Sequence, residues 1–446
     1  MRKISVLTII ILCCSGLLMA QKAKYVIMVS VDGFRPDFYI DPSYPAPNMQ
    51  QMMHKGVYSA GVRGIFPTVT YPSHTTLVTG VMPAKHGIVY NTPFDPKGLS
   101  GKWVKDAKEI KAQTLWAAAH VAGLKTASVS WPVSVGADID YNIPETWSEN
   151  HPGDRRPATS QDATPKGLFE EVQDNATGKL EANDMDLHYL SMNENLGRMT
   201  AYLIRKYKPN LVTVHLPCTD EAQHREGREG ESVRRAVASA DRAIGCIWEA
   251  VQKAGIEDST AIIITGDHGF VDTHSSLSPN VWLAKMGLIG TTPDRGNWKA
   301  TFHASGGSSF LILKDPKDMK TLQQVENMLG SLPPAQQKLF RVIDRKTMDR
   351  MGSDPAAALA LTGMQGITFN NSAEGPFLRP GKGGAHGYFP DFDEIRTGFV
   401  AMGAGLNSGS VLREMGLEDV APLIAKLLGI ELKDADGVVY PGIIKK

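Results

Sequence analysis

Residues 25–33 read YVIMVSVDG, an uncharged run that stops abruptly at Asp32-Gly33. Three later stretches repeat the plan. Thr126–Ser130 runs into Trp131-Pro132, Leu211–Leu216 (LVTVHL) into Pro217 and Asp220, and Ala261–Thr265 (AIIIT) into Gly266-Asp267-His268. Near-continuous apolar runs of this length predict strands buried on both faces. Between them, Glu194–Lys206 and Ser232–Lys253 carry apolar residues at three-to-four spacing, which predicts helices. Strands alternating with helices predict an α/β fold, with a mostly parallel central sheet and helices on both faces. Ligands of such sheets sit beyond the carboxyl ends of the strands. Three of the four strand ends carry Asp or His within a few residues, and that is the first functional clue.

The chain has 446 residues, more than an ordinary single domain, so one large α/β domain with an insertion is expected. The stretch from about 272 to 380 is poorer in buried-strand signals, contains Pro333-Pro334, and is assigned to an inserted subdomain. Residues 174–183 are polar and read as a surface loop. At the start, Met1-Arg2-Lys3 is followed by an apolar run from Ile4 to Ala20 and then polar Gln21. That pattern predicts a secretory signal peptide over residues 1–20 and a catalytic chain over 21–446. The run is at the short limit for a membrane span, and no second one follows. Export to the periplasm or the extracellular space is therefore expected, with no stable span after cleavage.

Lys plus Arg and Asp plus Glu each number 47. Without clustered basic residues, a nucleic-acid or anionic-membrane partner is not expected. Two of the four Cys, Cys13 and Cys14, lie in the leader. Cys218 and Cys246 remain, too few for a disulfide scaffold, and two buried thiols are expected.

Asp32 ends the first strand. Asp220 and His224 are four residues apart, on one face if the segment is helical. Asp267 and His268 are adjacent after the last run, and His386 stands in the loop Gly383-Gly384-Ala385-His386-Gly387. Taken singly, Asp32 could be a helix cap and His386 a turn residue. Taken together, three Asp and three His offer mixed oxygen and nitrogen ligation that suits zinc, with manganese or iron as alternatives.

Pro67-Thr68-Val69-Thr70-Tyr71-Pro72-Ser73-His74 is the second feature. Pro72 suits the first turn of a helix, which puts Thr70 near a helix N-terminus that attracts anions. A hydroxyl there can attack phosphorus if a metal lowers its pKa. A simple N-cap would leave the same pattern, and local sequence does not separate the two.

The segment FPTVTYPSHTTLVTGVMPAKHGIVYN, from Phe66 to Asn91, closely resembles the nucleophile motif of the nucleotide pyrophosphatase/phosphodiesterase family, a branch of the alkaline phosphatase superfamily. The likeness extends to Val31–Asp37, to Ser130-Trp131-Pro132, to Asp220 with His224, to Thr265–Gly269 and to Ala385-His386-Gly387-Tyr388. The motifs follow the family in order. The resemblance implies an alkaline-phosphatase-like fold and two zinc ions per chain. Asp32, Asp267, His268 and the oxygen of Thr70 would hold one ion; Asp220, His224 and His386 would hold the other. Thr70 becomes the nucleophile, passing through a phosphothreonine, and Asn91 becomes the amide that donates to a phosphate oxygen.

Two departures stand out. The family usually has a small residue and glycine between the Asp and His of the third motif, where this chain has Asp220-Glu221-Ala222-Gln223-His224. After Trp131-Pro132 it usually continues with glycine, where this chain has Val133. Superfamily relatives that cleave monoesters clamp the extra negative oxygen with cations. The corresponding stretch, residues 131–147, contains no Lys or Arg. It offers Trp131, Tyr141 and Trp147, which could stack on a substrate or simply pack. A diester or pyrophosphate bond in a small molecule or nucleotide is therefore the expected substrate. A phosphomonoesterase, a phosphonate hydrolase and a non-catalytic metal-binding relative are the alternatives.

Overall fold

The computed structural model describes residues 22–97, 101–292 and 295–445. The expected leader, with Cys13 and Cys14, lies outside the described residues. Among the described residues, no helix is long and apolar enough to cross a membrane.

The main sheet is built from β1 (Tyr25–Val31), β2 (Val57–Ser59), β3 (Thr126–Val129), β4 (Tyr141–Ile143), β5 (Leu211–Leu216), β6 (Thr260–Thr265), β7 (Phe399–Gly403) and β8 (Ser410–Leu412). Their spatial order is β8-β2-β7-β6-β1-β5-β3-β4. β1 pairs in parallel with β5 and β6, and β3 in parallel with β5 and β4, whereas β7 runs antiparallel between β6 and β2. The four apolar runs of the sequence are thus four adjacent, mutually parallel strands, β6-β1-β5-β3.

Alternate residues of β1 serve opposite cores. Tyr25, Ile27, Val29 and Val31 pack with helices α3 (Ser191–Tyr207) and α5 (Glu231–Lys253). Val26 and Met28 pack on the other face with α1 (Thr70–Thr79), α2 (Leu115–Val121) and α6 (Val420–Leu428). Helix α5 buries Val233, Val237, Ile244, Ile247 and Val251, one stripe at three-to-four spacing. Each such buried side chain contributes about 1.5–3 kcal/mol of transfer free energy. Where α3 crosses α5, a Cβ on Gly197 would lie 2.9 Å from Ala243 Cα, so only glycine permits the approach.

A second core surrounds an antiparallel sheet whose order is Ala300–Ser305, Ser308–Leu313, Ala357–Gly363, Phe340–Ile343. This sheet corrects one reading of the sequence. The stretch from 272 to 380 is not poor in buried strands, since Ser308–Leu313 is buried throughout. Its serines diluted the apolar signal. Phe66 and Tyr90, which bracket the nucleophile motif, belong to this second core. Phe66 packs on Phe310 with ring centroids 5.2 Å apart, and the Tyr90 hydroxyl donates to Asp354 at 2.8 Å. This antiparallel sheet therefore anchors the loops that lead to Thr70 and Asn91.

Cys218 is buried, Cys246 half-buried, and both are free thiols. The polar stretch at 174–183 is not all loop: Gln173–Thr177 forms one turn of π-helix.

Candidate active site

Six Asp and His side chains converge beyond the ends of β1, β5 and β6. Asp32 follows β1 directly. Asp220 and His224 lie on α4 (Cys218–Glu226), which starts just after β5, and their spacing brings His224 Nε2 to 3.4 Å from Asp220 Oδ2. Asp267 and His268 follow β6, and His268 Nε2 lies 3.4 Å from Asp32 Oδ1 and 3.2 Å from Asp267 Oδ2. His386 Nε2 stands 3.6 Å from Asp220 Oδ1. Two groups have ligand atoms close enough for a metal ion: Asp220 with His224 and His386, and Asp32 with Asp220 and His268. Asp220 is common to both.

The three histidines share one orientation rule. His224 Nδ1 is 3.0 Å from the Gly384 carbonyl, His268 Nδ1 is 3.1 Å from the Gly269 carbonyl, and His386 Nδ1 is 2.9 Å from the Thr68 carbonyl. A carbonyl only accepts, so each Nδ1 carries the proton and donates. Each Nε2 then keeps a lone pair aimed at the carboxylates, as a metal ligand requires. Burial lowers the pKa of His268 to about 3 and pushes His386 well below its usual range, so both rings are neutral.

The carboxylates show the opposite strain. Burial, followed by repulsion from Asp267 and Asp220, raises Asp32 well above the usual carboxylate range. Burial raises Asp220 to about 6. Asp32 Oδ1, Asp220 Oδ1 and Asp267 Oδ2 are buried without a hydrogen-bond partner. Buried carboxylate oxygens left without a partner at this spacing are costly unless a cation joins them. With three imidazole lone pairs beside them, the residues present fit zinc well.

Helix α1 begins at Thr70, with Val69 at the capping position and no side-chain cap. The Thr70 hydroxyl is thus not used as an N-cap. Its contact is His268 Nε2 at 3.5 Å. The first turn is instead closed by Asn91, whose Oδ1 accepts from the Tyr71 amide at 2.8 Å. With its oxygen so used, Asn91 Nδ2 is the atom left to donate.

Sequence reasoning missed a buried chain behind Asp32. His215 Nε2 lies 3.0 Å from Asp32 Oδ2, His215 Nδ1 lies 3.0 Å from Glu145 Oε2, and the Tyr71 hydroxyl donates to Glu145 Oε1 at 3.0 Å. Burial alone would lower His215, but its hydrogen bonds to Asp32 and Glu145 raise it to about 10. Only the inward-facing His in LVTVHL signalled it.

A cavity of about 430 Å³ opens on Asp32, Thr70, Asp220, His224 and His215, walled by Tyr71, Trp103, Trp147, Glu145 and Arg155. Of the three expected pocket aromatics, Trp147 is there. Lys105 Nζ and the Arg155 guanidinium approach its ring, at 4.1 and 5.2 Å from the centroid. Trp131 is instead fully buried against Trp116 and His74, and Tyr141 stacks on Tyr207 at 3.9 Å, so neither lines the cavity. Both are taken up by packing at the strand ends. A second correction concerns charge. Residues 131–147 lack a cation, yet Arg155, eight residues beyond, supplies one to the cavity.

The two departures also have structural roles. Gln223 is buried, and its Nε2 donates to the Gly33 carbonyl at 2.9 Å, tying α4 to the end of β1 rather than lining the cavity. Val133 sits at φ +55°, where glycine is favoured, and packs with Tyr71 and Ile88 beneath Trp147. Its burial offsets a backbone strain of about 1–2 kcal/mol.

A mostly parallel sheet with helices on both faces carries acidic and imidazole groups at its strand ends, the arrangement of an alkaline-phosphatase-like fold. The chain belongs to the type I phosphodiesterase / nucleotide pyrophosphatase family, which it matches over residues 26–389. It is 28% identical over 258 residues to ectonucleotide pyrophosphatase/phosphodiesterase family member 3 of Mus musculus, covering 56% of this chain and 25% of the relative. It is 23% identical to family member 7 of Rattus norvegicus, covering 99% of this chain and 92% of the relative. The chain thus spans about a quarter of the length of the first of these curated relatives. Human ectonucleotide pyrophosphatase/phosphodiesterase 5 shares the fold, with a TM-score of 0.66 at 20% identity, over 93% of this chain and 97% of that one. The murine counterpart superposes equally well, at 21% identity and over the same shares of both chains. Its structure is that of an inactive threonine-to-alanine variant in complex with AMP.

Proposed function

We propose that the protein is a two-metal hydrolase, with zinc as the best-fitting ion, that cleaves phosphate diester or pyrophosphate bonds through a phosphothreonine on Thr70. One observation carries the reading: an uncapped Thr70 hydroxyl at a helix N-terminus lies 3.5 Å from His268 Nε2, beside three partnerless carboxylate oxygens. Asp32, Asp267, His268 and Thr70 Oγ1 would hold one ion, and Asp220, His224 and His386 the other. When bound, the ions supply Lewis acidity and positive charge at the attacking and leaving oxygens.

Thr70 Oγ1 gives up its proton to solvent water and attacks phosphorus. The Oγ1–P bond forms as the bond to the leaving oxygen breaks, and the leaving group departs with the electron pair. The α1 N-terminus and Asn91 Nδ2 face the charge that builds on the non-bridging oxygens. Water then attacks the phosphothreonine, restoring the hydroxyl and releasing a phosphate monoester. His215 and Glu145 keep Asp32 in place throughout.

A small phosphate diester or nucleotide is the substrate class favoured by this reading, in keeping with the AMP complex of the murine relative. We further propose export through the leader at residues 1–20, and one catalytic domain over 21–446 with an insertion near 272–380. The deciding experiment compares kcat/KM for an aryl phosphate diester and the matching monoester on metal-loaded protein. A preference for the diester is expected, and a preference for the monoester overturns the substrate class.

A further inference from the structure

The cavity beside Thr70 holds one cation, Arg155, that the proposed reaction does not use. The Arg155 side chain is only 14% exposed, yet its guanidinium makes no hydrogen bond among the described residues. Its sole ion-pair contact there is with Glu145, at 4.0 Å. The Arg155 charge helps to keep Glu145 ionised, but the hydrogen bonds of that carboxylate go elsewhere: one oxygen accepts from Tyr71 and the other from His215, both at 3.0 Å. Arg155 thus presents a planar fork of five donors, the geometry that pairs with carboxylate or phosphate. Trp147 beneath it limits the ways the fork can turn.

Its place along the cavity decides what it can reach. From Asp32 the contacts run to His215, then Glu145, then Arg155. Along that route two side chains, His215 and Glu145, lie between Asp32 and the guanidinium. An oxygen on the reacting phosphorus belongs at the Asp32 end; a group further along the substrate belongs at Arg155.

We propose that Arg155 is a specificity-determining residue that pairs with a second anionic group, a phosphate or carboxylate, on the part of the substrate beyond the scissile linkage. The inference rests on the phosphodiesterase reading above and narrows it to diesters that carry a distal negative charge.

Three p-nitrophenyl phosphate diesters test this, differing only at the para position of the second aryl group: a carboxylate, a phosphate, or a neutral carboxamide. On metal-loaded full-length protein, each charged diester is expected to exceed the carboxamide in kcat/KM by roughly tenfold, the size of a charge-assisted pair. The ratio falls to about one in Arg155→Gln and to an intermediate value in Arg155→Lys, which keeps the charge but loses the fork. Preference for the phosphate alone assigns the second anion to a phosphoryl group; preference for both assigns it to any oxyanion that can take the guanidinium fork. Equal rates in the wild type, or a ratio that Arg155→Gln leaves unchanged, overturn the proposal. If none of the three is hydrolysed, the phosphodiesterase reading has failed. Binding of the same compounds, read by quenching of tryptophan fluorescence, then decides the role of Arg155 independently.

Discussion

The imidazole rings of His268 and His386 lie face to face, with centroids 3.6 Å apart and planes 8° from parallel. Two protonated rings would repel at that distance, so the stack excludes both being charged at once. Their Nε2 atoms belong to different ligand groups that meet at Asp220. The stack therefore sets how close two ions could sit.

Removing one ring should empty one group and spare the other. In His386→Ala, elemental analysis is expected to show a fall from about two to about one zinc per chain. An unchanged content would remove His386 from the ligand set.

Thr70→Ala should leave the metal content intact while turnover falls by a factor on the order of 10⁴ or more, as loss of a nucleophile does. Thr70→Ser keeps the hydroxyl and should retain measurable activity. Wild-type turnover in the alanine variant would refute the role of nucleophile.

Stripping metal leaves Asp32, Asp220 and Asp267 with uncompensated buried oxygens. Calorimetry should show a lower Tm in chelator, restored by added zinc. With free metal a thousandfold above Kd the difference is about 4 kcal/mol. A Tm indifferent to chelator and zinc would mean that these groups hold no metal.

His215→Ala removes the donor that orients Asp32. Metal affinity, measured by competition with a chromophoric chelator, should drop roughly 10–100-fold, as it does when a ligand's supporting partner is lost. Glu145→Gln should give a smaller loss, because the amide can still face His215. Affinity unchanged in both variants would reduce the chain to packing.

Val133→Gly relieves a φ of +55° but empties a buried position. The lost burial, about 1.5–3 kcal/mol, outweighs about 1–2 kcal/mol of strain. Denaturant midpoints should therefore show a net destabilisation of roughly 1 kcal/mol. A stabilised variant would show that the strain dominates.

The sequence by itself determined the central sheet, because strands buried on both faces must be apolar throughout and YVIMVSV, LVTVHL and AIIIT leave little else to form. It also determined the six Asp and His candidates and Thr70, since each stands at a strand end, at a helix start or in a glycine-rich loop within a short recognisable motif. What only the tertiary structure decided depends on contacts between residues far apart in the chain. Local sequence left Thr70 open between cap and nucleophile; the amide-to-Asn91 bond, spanning twenty residues, frees its hydroxyl. The 131–147 stretch has no cation, but cavities are lined in space, and Arg155 folds back into the gap. Trp131 and Tyr141 carry the same aromatic signal as Trp147, and only packing buries the first and stacks the second on Tyr207. His215 looked like one more residue of a buried strand until Asp32 on the neighbouring strand and Glu145 beyond the sheet edge closed around it.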